Sequence, residues 1–143
     1  MKKMKSGFTM IELIFVIVII GILAAVALPK FVGMSSQAHE SNIKSFVGTL
    51  NRTVGPTLWS KSISEGHNGD ISYLSLKENN LTNYVDIPDE ITKNSIDLSK
   101  CDSTSTAKVI MSFEKSTAGF DGNITCKDGD VKQAPKFEYS ISK

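Results

Sequence analysis

The sequence predicts an α+β chain: a long N-terminal α-helical spine, membrane-spanning in its first half, packed by a small antiparallel β-sheet head. Three observations predict it. Residues 13–28, LIFVIVIIGILAAVAL, run sixteen in succession without a polar side chain. From Phe31 onward, apolar residues recur at Met34, Ala38, Ile43, Phe46/Val47, Leu50, Val54 and Leu58, in steps mostly of three to five. That is the period of a helix, not the alternation of a strand. Three late segments, 107–113, 119–126 and 136–142, read as strands, and in the last Phe137, Tyr139 and Ile141 alternate with Glu138, Ser140 and Ser142.

Composition narrows the function classes. The 143 residues are 41% hydrophobic and 22% charged, but the averages hide a split between the apolar run and a polar remainder from Trp59 onward. An evenly cored cytosolic domain is excluded, and the polar part is too small for both a sizeable core and a deep catalytic cleft. Lys2, Lys3 and Lys5 precede the apolar run, leaving 13 basic against 15 acidic side chains in residues 8–143. No basic excess of the kind that binds nucleic acid remains.

Residues 1–7 read as a short basic leader and 8–29 as a transmembrane helix. Phe8 to Leu28 is 21 residues interrupted only by Thr9 and Glu12, about 31 Å as a helix, the thickness of a bilayer core. The lysines belong on the cytoplasmic side, which places the polar remainder outside that membrane. A cleavable secretory signal has the same order of charge and apolarity, and Ala25-Val26-Ala27 would serve as its cut site. The helical pattern, however, continues past Leu28 in phase. Glu12 is the anomaly, since a carboxylate in lipid is costly unless it is neutral, paired or close enough to the interface to stay wet.

The stretch KSGFTMIELIFVIVIIGILAAVALPKF, residues 5–31, resembles the class III signal of type IV pilins and of the pseudopilins of type II secretion. The resemblance covers the basic leader, Gly7, Phe8, Thr9 and Glu12, and continues through Gly21 to Pro29. It implies that a membrane aspartyl peptidase, the prepilin peptidase, cuts after Gly7 and N-methylates Phe8. It further implies an inner-membrane subunit that an assembly platform and its ATPase extract into a helical homopolymer alongside minor pilins. Cleavage creates an amine on Phe8, and Glu12 is the acid in that apolar setting able to meet it, within the chain or, in a staggered bundle, on a neighbour. Helix melting between Gly21 and Pro29 in the assembled fibre is also implied by the resemblance; Pro29 by itself predicts a kink.

Residues 30–61 read as an amphipathic continuation, making the helix about 54 residues or roughly 80 Å long. Gly33 and Gly48 interrupt any clean heptad, so support by a head is expected in place of a coiled coil. Pro56 predicts a bend that lets Leu58 and Trp59 cap the core, with Trp59 as a core aromatic. Turn residues from Glu65 to Asp70 end the helix. Residues 62–143 then form the head, with short apolar pieces at 71–76 and 83–91 and a single turn opening after Pro88. The head agrees with the pilin-like fold that the resemblance implies.

Cys101 and Cys126 lie outside the cytoplasm by the orientation argued above, too few for a structural zinc site and without a C-x-x-C spacing. A disulfide is expected. It resembles the C-terminal bridge of many pilins, although 17 residues follow Cys126. Asp121-Gly122-Asn123 and Asp128-Gly129-Asp130 resemble calcium-loop fragments without the full ligand pattern, and read as hairpin turns. Pseudopilins that bind calcium make Asp121, Asn123, Asp128 and Asp130 candidates, but no metal or other cofactor is assigned. His39 and His67 organise no nucleophile, and no phosphate-binding glycine loop is present. Phe8, Phe15, Phe31 and Phe46 are explained by packing and not by electron transfer. The expected function is that of a structural subunit of a type IV pilus, serving adhesion, motility or DNA uptake, in the inner membrane before assembly and extracellular afterwards. The alternative is a type II secretion pseudopilin in a short periplasmic filament.

Overall fold

The computed structural model describes residues 7–31, 33–92, 95–102, 106–115 and 119–142. Lys2, Lys3 and Lys5 lie outside them. Residues up to Ser35 form one compact unit and Ser36–Lys143 another.

The first unit holds α1, Met10–Phe31, a helix of 22 residues in which no residue is buried. Pro29 lies inside its last turn, next to Lys30. α2 (Met34–Thr49), a π-helical turn (Leu50–Val54) and α3 (Gly55–Ser64) follow one another, all but the first two residues of α2 in the second unit. The stripe expected from Phe31 to Leu58 is buried only from Ile43 onward, through Phe46, Val47, Leu50, Val54 and Leu58. Phe31 and Met34 remain exposed.

The π-helical turn answers a problem posed by Pro56. Proline lacks the N–H that would bond the carbonyl four residues back, and its ring crowds that carbonyl. Widening the preceding turn, so that Gly55 N–H donates to Leu50 O five residues back, carries the helix through to Ser64. Glycine is required at 55: a Cβ there would stand 2.9 Å from Leu50 O and 3.1 Å from Phe137 Cε2.

Three strands, β1 (Lys108–Phe113), β2 (Asp121–Lys127) and β3 (Lys136–Ser142), form an antiparallel sheet in the order β1-β2-β3. β1 has an irregular register between Val109 and Met111, with Ile110 as the extra residue. This bulge explains why Ile110 and Met111 are both buried despite being adjacent. The inward residues Phe113, Ile124, Cys126 and Phe137 join the helical stripe in one core. Phe113 and Phe120 meet edge to face at 5.4 Å between ring centres.

Between helix and sheet, residues 70–102 contain little regular structure: 3₁₀ turns at Ser72–Leu74 and Leu98–Lys100 and single turns α4 (Glu78–Leu81) and α5 (Asp89–Thr92). Ile71, Leu76, Leu81, Ile91, Ile96 and Leu98 anchor this segment in the core. Six such anchors, each contributing roughly 1.5–3 kcal/mol on burial, hold a loop that its backbone bonding alone would not. The long helical stretch packed by a small antiparallel sheet is the α+β fold the sequence predicts.

Candidate functional site

The amino-terminal segment combines an apolar surface with one acid. From Ile11 to Leu28 every large apolar side chain of α1 is between 45% and 66% exposed. These side chains point in all directions around the helix, so no single core could cover them. Lipid or the apolar helices of other chains would suit such a surface. At 1.5 Å per residue, 22 residues reach about 33 Å, enough to cross a bilayer core.

Glu12 stands at the start of this helix. Its Oε2 accepts hydrogen bonds from Thr9 N (3.1 Å) and Thr9 Oγ1 (2.9 Å), while Glu12 N donates to Thr9 Oγ1 at 3.3 Å. This is a reciprocal capping box, Thr at the N-cap and Glu three residues on. It satisfies helix-terminal N–H groups and fixes the carboxylate against Thr9. The T-x-x-E spacing is visible in the sequence and is the signal that could have found it. Phe8 is 81% exposed, and nothing lies within 4 Å of the place a Cβ would take on Gly7 or Gly21. Among the described residues no packing therefore requires either glycine.

In the head, Cys101 and Cys126 are joined by a disulfide with Cα atoms 5.4 Å apart, both fully buried. It ties the end of the irregular segment to the central strand. Trp59, expected in the core, is instead half-exposed, and its indole N–H donates to Asp130 O at 2.7 Å.

The calcium candidates are not brought together as ligands. Asp121-Gly122-Asn123, expected as a hairpin turn, lies within β2. A Cβ on Gly122 would fall 2.4 Å from both Phe113 Cε2 and Ser140 O, so this glycine makes room for a ring and not for a reversal of the chain. The connection from β1 instead turns near Gly119, whose φ is +83°. Asp121 Oδ1 accepts from Lys115 N, and Asp130 Oδ1 caps the turn formed by Lys132 and Gln133. Asp128 Oδ1 accepts from Gly129 N and Ile71 N. These carboxylates are engaged in holding loop backbone, and among the described residues no group of three or more His, Cys, Asp or Glu could hold a metal ion.

Comparison with known proteins bears on the amino-terminal segment first. Residues 2–28 match the family model of the prokaryotic N-terminal methylation motif. The chain is 60% identical over 38 residues to a type IV narrow pilus major component of Thermus thermophilus, covering 27% of this chain and 33% of that one. It is 32% identical over 81 residues to a type IV major fimbrial protein of Dichelobacter nodosus, covering 57% and 48%. With a type IV major pilin of Myxococcus xanthus it shares 49% over 44 residues, 31% and 20% of the two chains. The chain thus spans between a fifth and about half of the length of these curated relatives. No solved structure matches it.

Proposed function

Because the chain is type IV pilin-like in its methylation motif, its relatives and its helix-and-sheet fold, we propose that it is the structural subunit of a pilus filament polymerised through α1. The observation that carries this reading is a helix of bilayer length, bare on every side, with a single carboxylate in its first turn. Such a surface suits two environments in succession, the inner membrane and then a bundle of identical helices. The prepilin peptidase would cut between Gly7 and Phe8 and methylate the new amine. The assembly platform, its ATPase and minor pilins would move the subunit from the membrane into an extracellular fibre. The role is structural and not catalytic.

Glu12 would act at the transfer between environments. Cleavage after Gly7 would leave a positive amine one residue before the capping box. The Glu12 carboxylate, already accepting two hydrogen bonds from Thr9, would take this amine as a charge-assisted partner, chiefly from the adjacent subunit. An unpaired charge among apolar helices is unfavourable, so a subunit whose Glu12 meets an amine would be selected at the growing end.

The test compares Glu12→Gln with Glu12→Leu. Glutamine also completes a capping box, so it preserves the helix start and removes only the charge. Leucine improves the apolar anchor. Both variants should insert in the membrane and be cleaved, yet yield few sheared filaments relative to total membrane subunit. Normal filament yield from both would refute the assembly role of Glu12.

A further inference from the structure

Two loops meet beside α3: residues 65–71, which follow the helix, and residues 128–133, which follow β2. Buried Ser62 ties down the first, donating from Oγ to Asp70 O (2.6 Å) and accepting from Gly69 N (3.1 Å). Trp59 reaches the second through Asp130 O. The backbones touch: a Cβ on Gly69 would fall 2.3 Å from Asp130 O, and one on Gly129 3.0 Å from Gly69 O and from Trp59 Cδ1.

Asp128 sits at this seam. Its Oδ1 accepts from Gly129 N at 2.8 Å and from Ile71 N, across the seam, at 3.3 Å. Its Oδ2 is buried and has no hydrogen-bond partner among the described residues. The carboxyl of Asp70 bears on it as a like charge, and Asp70 Oδ1 itself already accepts from Ser72 N (2.7 Å) and Ser72 Oγ (2.6 Å). Two carboxylates have no donor between them. Ionised, Asp128 leaves a buried oxygen uncompensated beside a like charge; protonated, it becomes the missing donor.

We infer that a proton shared between Asp128 and Asp70 latches the two loops together, and that its loss as the pH rises from acid through neutral loosens the seam. Burial first, and then Asp70, push the Asp128 carboxyl up to about 7. The folded head therefore holds a proton that the unfolded chain releases near pH ~4. Stability should fall as pH rises from about 4 to about 7 and level off above. The other titratable groups around the seam include His67, Asp130, Glu65, Tyr73, Lys127 and Lys132, and lysine as a residue type titrates well above the window. Asp130 caps its own turn. Tyr73, stacked on His67 and donating to Glu65, is pushed up to about 12, outside the window. Histidine as a residue type titrates within it, so His67 needs its own control. The inference does not depend on the filament reading.

Trp59 is the sole tryptophan and reports the seam directly. Its emission and the thermal midpoint would be followed from pH 4.5 to 9 on the full chain in detergent micelles with EDTA. The native protein should show an emission transition within about one pH unit of 7 and a falling midpoint below it. Asp128→Asn, which offers an amide donor to Asp70 at every pH, should keep the acid-side emission and lose the transition. Asp70→Asn, which removes the like charge, should shift the transition to lower pH and serves if the first variant does not fold. His67→Gln should retain it. The latch is refuted by a flat native profile, by a native-like transition in either aspartate variant, or by its loss in His67→Gln.

Discussion

Asn51 should be among the most sensitive polar positions in the head. Its side-chain amide lies against strand β3 as a neighbouring strand would, donating to Phe137 O at 2.7 Å and accepting from Phe137 N at 2.8 Å. The same Nδ2 also donates to Val47 O at 3.1 Å. Phe137 is only 1% exposed. Asn51→Ala therefore strands one N–H and one C=O of β3, each costing about 1–3 kcal/mol when left unpaired and dry. A groove of about 770 Å³ beside Gly48, Asn51 and Tyr139 admits water, which favours the lower half of that range and a total of about 2–4 kcal/mol. For a unit of this size, at about 4 °C per kcal/mol, the melting midpoint should fall by about 8–16 °C. Asn51→Asp keeps the acceptor for Phe137 N but turns a carboxylate toward two carbonyls, so it should be no better than alanine. Thermal melts of the full chain in micelles, with amide exchange at Phe137, measure both. A loss under about 0.5 kcal/mol in Asn51→Ala, or native stability in Asn51→Asp, would refute the reasoning.

Two further outcomes are expected. Peptide mapping without reductant should recover Cys101 linked to Cys126, and opening that 25-residue separation should cost about 3.5 kcal/mol by the chain-entropy account, so that Ser at either position lowers the melting midpoint; two free thiols in exported protein would contradict it. Mass spectrometry of purified filaments should show a chain lacking residues 1–7 with a methylated amine on Phe8, whereas an intact Met1 or a start at Leu28 would count against the proposed processing.

The apolar run of α1 and the clean alternation of β3 are properties of neighbouring residues, and the sequence shows both, β3 to its terminal positions. β1 and β2 are legible as strands, but their bounds shift by one or two residues. The bulge at Ile110 blurs the alternation of β1, and Gly122 resembles a turn residue although it accommodates the Phe113 ring. The Asn51 clamp depends on Phe137, 86 residues away, and no local pattern announces it. Proline at 56 announces only that something must give. At the amino-terminal site, the charge of Glu12 draws the eye to an external partner, while its bond to Thr9 is equally written in the spacing. Asp128 looks like a loop residue in sequence; its partnerless oxygen exists only once the two loops have met.

A three-stranded sheet that is not closed has two edges, and each here carries a plug. On β1, Ile110 O accepts from Asp97 N at 3.0 Å; on β3, Phe137 is filled by Asn51. If α1 drives assembly, heads are brought side by side at a local concentration far above that of free protein. A bare edge would then recruit the edge of the next head, and strand addition would compete with the helix bundle as a route to fibre. Fibres built that way are cross-β, held by backbone bonding along their whole length and difficult to take apart. One amide against β3 and one backbone N–H against β1 would then stand between the subunit and the wrong polymer.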